Sequence, residues 1–505
     1  GIFTILLAFM FFCMRKISLE KKVKYGILLV LFVISFNNEL LNYIWHGFHN
    51  QYGIPNRFAF LYIFVLLVMA YEVYLKRKQI RLYMVVAGYV LSMLLVIFCY
   101  YNAETVYQNR TYILTASLLT VYLILFTLYI RVPAKRALFE YLLVFVAIVE
   151  MAANGLFGFG QVGSSDPEYY YGDTDTFETL KSRVEENDQG LYRSDILEPL
   201  LVDEATWYNL KSVGIFGSTV RGELVDIMGK LGFYTGANEY LYYGATPVTN
   251  ALFGVKYVYT RDTDFVNVDM NYYDQEDKFS VYKNNSTLPI GYMVKEDVLD
   301  YDTEDNGPFT VQNELCGALS GVEPIFVSIY DDMQLETYGT NVNVELTEGF
   351  NANYSNGSAS ARADMIFTIP RDMDFYVNCR GSNVHKIALL IDGKEVAFDR
   401  YQGQIFRVGN VKAGQTVDVQ FVLNDGENMS GSLYCYPMEF LPEQFDQFYE
   451  NLADETLDVT NFKDSKIEGN LHVKEDGVFM TSIPYDDGWT IYANGEKLDS
   501  LVVLE

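Results

Sequence analysis

The sequence predicts two fold classes in one chain: a multi-span α-helical membrane domain, then an extracytoplasmic α/β plus β-sandwich domain. Apolar runs of roughly 18–20 residues, long enough to cross a bilayer as helix, occur only before residue 157. Residues 1–156 carry 14 Lys and Arg against 6 Asp and Glu, whereas residues 157–505 carry 23 against 59. Short alternating runs bounded by turn residues dominate the second part, which is typical of strands.

The domain boundaries follow from these changes in composition. We predict a membrane domain over 1–157, a mixed α/β region over 158–300 and a β-sandwich region over 301–505. The net charge is −28, and no basic stripe is present that could neutralise phosphates. We therefore expect no nucleic-acid partner.

Five complete membrane helices and one truncated helix are expected in the first domain. Val23–Phe36 is short and is extended here through Asn37–Trp45, and Ile2–Met14 begins at the first residue without the basic start of a signal peptide. The clear runs are Phe58–Leu75, Leu82–Tyr101, Tyr112–Ile130 and Ala137–Gly155.

The connecting loops alternate in charge, and this sets the predicted orientation. Twelve Lys and Arg lie in the first, third and fifth loops, whereas the loops between them carry only Arg57 and Arg110. Short-loop basic residues stay in the cytoplasm. The 37–57 loop and everything after about residue 157 are then expected to face outward.

The acidic region has enough apolar residues for a core and shows mixed helix and strand patterns. A weak repeat is also visible: Phe367–Asp372 leads to Leu390–Glu395, and Thr481–Asp486 leads to Tyr492–Lys497. We expect two related β-sandwich units, the second cut short at Glu505. The predicted helices are Thr176–Asn187 and Leu224–Leu231, and the later predicted strands are Asn341–Leu346, Asp364–Ile369, Phe375–Asn378, Ile387–Ile391, Val417–Leu423 and Leu433–Pro437.

Cysteine and acidic spacing indicate no metal site. Cys316, Cys379 and Cys435 are an odd set without a C-x-x-C pair, so one disulfide with a spare thiol and three buried thiols both stay open. The best calcium-loop register, from Asp302, has Asn313 where a bidentate Glu is required.

The stretch Trp45–Phe58 is the strongest candidate for chemistry. It holds His46, His49, Asn56 and Arg57 on the predicted outer face, beside the start of a membrane helix. A guanidinium fork binds phosphate oxygens in bidentate fashion, so these four residues could hold a lipid-linked phosphate. The alternative is that Trp45 and Arg57 anchor helices at the interface and the histidines are polar filler.

Three further polar residues could face the same outer cavity. Glu150 and Asn154 are four residues apart and share one helix face, and Glu39 precedes the loop. A sugar acceptor hydroxyl would need a carboxylate base, which makes Glu150 a weak catalytic candidate. The alternative for Glu150 is a helix-end residue near lipid headgroups.

Five stretches resemble, in order, motifs of the bacterial membrane protein YfhO family. The resemblance spans most of the chain, and Ala59 stands where the family has Ser. The stretches are Tyr43-Ile-Trp-His-Gly-Phe-His49 with Pro55-Asn-Arg-Phe-Ala-Phe60, Glu150-Met-Ala-Ala-Asn154, Leu252-Phe-Gly-Val-Lys-Tyr-Val258, Val281-Tyr-Lys-Asn284 with Leu288-Pro-Ile-Gly-Tyr292, and Ile483-Pro-Tyr-Asp-Asp-Gly-Trp489.

This resemblance implies a GT-C-like glycosyltransferase in the bacterial cell membrane. Such an enzyme takes its sugar from a polyprenyl-phosphate carrier, supplied by a separate enzyme, and transfers it to a cell-surface glycopolymer of the teichoic-acid type. It also implies that the essential acidic residue lies upstream of this chain and that a further membrane helix follows it. We therefore expect a partial GT-C-like membrane domain that is not catalytically complete.

Two other function classes stay open. A non-catalytic, membrane-anchored polysaccharide-binding protein would explain the paired β-units, and a lipid-linked sugar transporter would explain several membrane helices. The transporter requires polar residues along a path through the membrane, whereas the apolar runs here are polar mainly at their ends.

Overall fold

The computed structural model divides the chain into two compact units, Gly1–Ser165 and Asp166–Glu505. It describes residues 1–49, 54–102, 109–163, 165–261, 270–303, 307–329, 333–339, 343–347, 351–356, 361–399, 403–424, 429–463 and 465–503.

The first unit is all helical. Within its described residues, three helices, α5, α6 and α7, are long and apolar enough to span a membrane, with α7 counted together with the turn before it. The helices are α1 (Ile2–Cys13), α2 (Leu19–Phe36), α3 (Glu39–Trp45), α4 (Ala59–Leu75), α5 (Leu82–Asn102), α6 (Asn109–Arg131) and α7 (Arg136–Val162).

The prediction of five complete spans is only partly met. Helix α4 has 17 residues, about 25 Å of helix, which is shorter than a hydrocarbon core of about 30 Å. The second span, extended through Asn37–Trp45, is not one straight helix: α2 and α3 are apolar enough to span a membrane together but meet at a bend of 108°, as in a broken span or a re-entrant loop. The Asn37 amide donates back to Val33 O (2.9 Å), and Asn38 Oδ1 accepts from Leu41 N (3.0 Å) as the N-cap of α3.

Helix α1 lies at the centre of this unit and packs against α4, α5 and α6. Its Leu6, Met10 and Phe11 are fully buried. A Cβ on Gly88 of α5 would lie 3.1 Å from Leu6 O and 2.9 Å from Met10 Cγ. Glycine therefore lets α1 and α5 approach closely.

Ion pairs join the helix ends at the predicted cytoplasmic side. Glu72 near the end of α4 contacts both Lys21 and Lys76 at 2.5 Å, and Glu140 of α7 lies 3.0 Å from Arg77. The basic residues of the first and third loops therefore gather at one end of the helix bundle.

The second unit begins with a small mixed sheet. Its strands are ordered β1-β5-β7-β6, with β1 parallel to β5 and the other pairs antiparallel. Helix α9 covers β6 and β7 and buries Phe177 and Leu180. The elements are α8 (Pro167–Tyr171), α9 (Thr174–Asn187), β1 (Arg193–Leu197), α10 (Glu204–Trp207), β2 (Ile215–Phe216), α11 (Gly222–Lys230), β3 (Tyr234–Gly236), β4 (Glu239–Leu241), α12 (Pro247–Leu252), β5 (Val255–Thr260), β6 (Met270–Glu276) and β7 (Phe279–Asn284).

A helical layer connects this sheet to a sandwich. Helices α11 to α14 bury a shared core that includes Leu252, Tyr292 and Phe448. The elements are β8 (Gly291–Val294), α13 (Pro308–Ser320), β9 (Phe326–Ser328), β10 (Met333–Tyr338), β11 (Asn343–Leu346), β12 (Asn351–Asn356), β13 (Arg362–Thr368), β14 (Met373–Gly381), β15 (Val384–Ile391), β16 (Lys394–Asp399), β17 (Ile405–Val411), β18 (Thr416–Leu423), β19 (Met429–Phe440), α14 (Pro442–Ala453), β20 (Asp458–Lys463), β21 (Lys466–Asn470), β22 (Val478–Thr481), β23 (Ile491–Ala493) and β24 (Glu496–Leu498).

The sandwich packs a five-stranded sheet, β10-β13-β18-β15-β16, against a sheet ordered β11-β12-β19-β14-β17, with β9 also on β19. Alternate residues of β18 are buried, as the period-2 pattern predicts. The predicted strands at 364–369, 375–378, 387–391, 417–423 and 433–437 are all found, with ends that differ from the predicted bounds by up to four residues.

A second sandwich is not found among the described residues. The first copy of the repeat lies in the sandwich, whereas in the second copy β22 pairs with β8 and β23–β24 form a separate hairpin. Similar local sequence thus occurs in two settings, because tertiary partners decide how a strand is used. The acidic stretch from Asp302 lies partly outside the described residues.

Candidate functional site

The segment from Trp45 to Phe58 is built around stacked aromatic rings. The Trp45 ring lies 5.4 Å from Phe32 and 5.1 Å from Phe58, centroid to centroid, and its Nε1 donates to Ser35 Oγ at 3.0 Å. Phe58 is buried, and Phe36 also packs on it at 5.2 Å. These contacts attach the end of α3 and the start of α4 to α2.

Two asparagines and a histidine form a polar cluster beside these rings. Asn42 Nδ2 donates to Asn56 Oδ1 at 2.8 Å, and His46 Nδ1 donates to the Asn42 carbonyl at 2.8 Å. Asn56 has a φ of 59°, a left-handed conformation that asparagine adopts more readily than most residues. The Nε2 of His46 is buried and has no hydrogen-bond partner among the described residues. In a neutral ring that carries its proton on Nδ1, Nε2 is a hydrogen-bond acceptor.

Arg57 and His49 differ from this cluster in being exposed to solvent. Neither makes a hydrogen bond or ion pair with the part of the chain that the structure describes, which leaves out residues 50–53. Arg57 directly follows Asn56, two residues before α4 begins. The structure therefore unites His46 and Asn56 through Asn42 and presents Arg57 beside them as an unneutralised charge.

Glu150 occupies a different environment from the one the sequence indicates. It is only 5% exposed. Its Oε2 accepts from Tyr122 OH at 2.7 Å and from Phe3 N at 3.1 Å, and its Oε1 accepts from Ile2 N. Glu150 therefore joins α1, α6 and α7, rather than facing headgroups.

The other predicted cavity residues make no described contact with the Trp45–Phe58 segment. Asn154 is exposed on α7, one turn beyond Glu150. Glu39 is exposed in the first turn of α3. The placement of Glu39, Asn154 and Arg57 around one cavity stays a prediction.

Two of the quoted motifs in the acidic region meet at one structural junction, beside the strand that leads into a third. Tyr292 OH donates to Leu252 O at 3.2 Å, and Ser482 N donates to Ile290 O at 3.0 Å. A Cβ on Gly291 would lie 2.6 Å from the Phe479 ring. Glycine therefore leaves room for the Phe479 ring where β22 pairs with β8.

Arg193 fastens this junction. Its Nη1 donates to Phe253 O (2.6 Å) and Ser482 Oγ (2.8 Å), and its Nη2 donates to Ser482 O (2.7 Å). These partners lie 60 and 289 residues away in sequence, which is why sequence reasoning missed the residue.

Asp195, two residues on, is also buried. Its carboxylate accepts from Ile196 N (2.9 Å), Val213 N (2.9 Å) and Gly214 N (3.2 Å). Burial raises the pKa of Asp195 to about 6, although these three donors favour the ionised form. Arg193 and Asp195 thus organise the fold around the motifs and do not form an open site.

Comparison with known proteins identifies the family. The family model described as "Bacterial membrane protein YfhO" matches residues 1–503. The chain belongs to the YfhO family. A search of curated proteins found no match for this YfhO-family chain.

The solved structures similar to this YfhO-family chain include carbohydrate-binding modules. The module TmCBM61, in complex with β-1,4-galactotriose, is 14% identical with a TM-score of 0.18, over 22% of this chain and 90% of that one. A family 35 module from Clostridium thermocellum is 9% identical with a TM-score of 0.16, over 22% and 96%. The module CBM36, in complex with calcium and xylotriose, is 14% identical with a TM-score of 0.15, over 23% and 98%. Such scores describe a sheet-rich fold only and carry no information on function.

Proposed function

We propose that the protein to which this chain belongs is a membrane glycosyltransferase. It moves a sugar from a polyprenyl-phosphate carrier to a cell-surface polymer of the teichoic-acid type, with the acidic unit outside the membrane. A separate enzyme makes the lipid-linked sugar. Family membership, the membrane-length helices and the asymmetric distribution of basic residues support this proposal.

The proposal rests mainly on the exposed position of Arg57. Its guanidinium is exposed and has no partner among the described residues, at the start of the apolar helix α4. A polyprenyl-phosphate carrier has its isoprenoid chain in the membrane and its phosphate at the surface. A fixed guanidinium at a helix end suits such a phosphate, since it offers two parallel N–H donors.

The neighbouring residues take supporting roles in this proposal. His49 adds a second exposed donor, the half-buried His46 and Asn56 hold the backbone that presents Arg57, and Glu39 and Asn154 line the outer cavity. Glu150 is assigned as a positioning residue, because both of its oxygens already accept hydrogen bonds. The catalytic acid is not assigned to any residue of this chain.

The test replaces Arg57 in the complete gene and measures sugar on the isolated surface polymer, together with carrier-linked sugar in the membrane. Two charge-assisted hydrogen bonds contribute about 1.5–3 kcal/mol each, so Arg57→Ala is expected to lower decoration about 100-fold or more. Arg57→Lys keeps the charge without the fork and is expected to retain part of the activity. Protein abundance is measured in parallel by immunoblot.

Arg110 provides a matched control, because it is also an exposed outer-loop arginine in the first turn of a membrane helix. Arg110→Ala is expected to keep normal decoration. Normal decoration in Arg57→Ala would refute the site assignment. Lost decoration without accumulation of carrier-linked sugar would instead favour a non-catalytic polysaccharide-binding protein.

A further inference from the structure

Two cysteines of the sandwich face each other across neighbouring strands. Cys379 of β14 is directly opposite Cys435 of β19 in the antiparallel register. Their sulfur atoms are 3.7 Å apart, and both residues are fully buried in the core between the sheets. Cys316, the other cysteine of the acidic unit, lies in α13 within a different core.

The backbone arrangement suits a covalent bond between these sulfurs. Directly opposed residues of antiparallel strands have Cα atoms about 4.5 or 5.5 Å apart. Disulfides accept Cα separations of about 4.4–6.8 Å. Opposed side chains also point to the same face of the sheet, so a bond requires side-chain adjustment and no change of register.

We propose that Cys379 and Cys435 form a disulfide in the folded protein in the cell. In this reaction both thiols lose their protons and a sulfur–sulfur bond forms between them. A protein disulfide donor of the thiol–disulfide exchange class accepts the electron pair and both protons, and its own disulfide becomes a dithiol. This inference depends on the outward placement of the acidic unit in the proposed function, because the cytoplasm keeps thiols reduced.

Burial determines when the bond can form. Both cysteines are fully buried, so a protein donor reaches them only before the two sheets close on each other. The bond is therefore a product of folding and not a reversible switch of the native state. It closes the chain from 379 to 435, which contains β15 to β18.

The experiment uses the full chain isolated from its own membranes. Cells are quenched with acid, thiols are blocked with N-ethylmaleimide after denaturation, and peptides are mapped by mass spectrometry without reductant. The expected result is one linked peptide pair containing Cys379 and Cys435, which disappears on reduction, while Cys316 is found only as the maleimide adduct. Cys316→Ser should leave the link intact, and Cys435→Ser should abolish it.

Equal maleimide labelling of Cys316, Cys379 and Cys435 in the wild-type protein would overturn the proposal. No variant has to fold for this result to count. A linked pair that forms only after addition of oxidised glutathione in vitro would also overturn it.

A topology measurement separates this failure from failure of the proposed function. Asp300 is exposed, so Asp300→Cys in a chain whose own cysteines are replaced should react with a membrane-impermeant maleimide on intact cells. Labelling there together with reduced Cys379 and Cys435 refutes the disulfide alone. Protection at Asp300→Cys refutes the outward placement, and with it both proposals.

Discussion

Replacing Arg193 by alanine tests whether the junction between β8 and β22 depends on one guanidinium. The substitution deletes three hydrogen bonds, to Phe253 O, Ser482 O and Ser482 Oγ. It leaves two carbonyl groups without this donor. Hydrogen bonds to charged groups contribute about 1.5–3 kcal/mol each but are not additive, so we expect a total loss of about 3–5 kcal/mol for the three bonds.

This loss of free energy is expected to make the segment that Arg193 contacts open locally more often. A change of 3–5 kcal/mol corresponds to amide exchange that is faster by about 150-fold to 5,000-fold. Hydrogen exchange with mass spectrometry on the detergent-solubilised full chain should show this in peptides that cover 291–294 and 478–482. Peptides from β13 and β18 in the sandwich should keep their wild-type rates.

Graded variants make the reasoning refutable. Ser482→Ala removes only the hydroxyl acceptor and should speed exchange about 5-fold, which corresponds to roughly 1 kcal/mol. Arg380 is exposed and stacks on Tyr434 in the sandwich, so Arg380→Ala serves as the control and should leave 478–482 unchanged. The claim that Arg193 stabilises this junction locally would be refuted by either of two results for Arg193→Ala. One is an amide exchange rate at 478–482 equal to that of wild type, and the other is an equal rise in exchange rate throughout the sandwich.

Two further predictions concern the aromatic segment and the buried carboxyl. Trp45→Phe keeps a ring on Phe58 but deletes the donor to Ser35 Oγ. The amide exchange rate in peptides covering 54–58 should therefore rise about 5-fold to 10-fold. An unchanged rate would show that the hydrogen bond contributes nothing. Burial raises the pKa of Asp195 to about 6, above the ordinary value of about 3.9, so between these values the folded state binds more protons than the unfolded state. Stability should therefore fall by about 3 kcal/mol as pH rises from about 4 to above 6. Asp195→Asn removes this pH-dependent contribution to the free energy of unfolding. In urea unfolding, wild type should therefore lose stability relative to Asp195→Asn as pH rises from about 4 to above 6. A gain in stability of wild type relative to Asp195→Asn would contradict the raised pKa.

Local pattern predicted most of the regular elements. Helices α5, α6 and α7 follow from long apolar runs, and the strands of the sandwich follow from period-2 alternation. The bend between α2 and α3 carried a sequence signal in Asn37 and Asn38, since asparagine ends helices and caps new ones. Mean hydropathy does not register that signal, so the two helices were predicted as one span.

The contacts that define the sites could not be predicted, because their partners are distant in sequence. Glu150 meets Tyr122 and the first turn of α1, and no spacing rule connects those positions. The cluster of Asn42, His46 and Asn56 was partly foreseen, since its members lie within one short segment. Arg57 was identified from residue type and position alone, and its role is still a prediction.

The pairing of β8 with β22 also sets the order in which the acidic unit can be completed. The chain is made from its N-terminus, and the 186 residues between Gly291 and Val478 take about 10–40 s to synthesise at 5–20 residues per second. During that interval the edge of β8 that pairs with β22 has no partner strand, and Arg193 lacks its two contacts with Ser482. Until β22 has been made, the nascent acidic unit therefore lacks one strand of this junction, and a premature stop before residue 478 would leave that strand missing permanently.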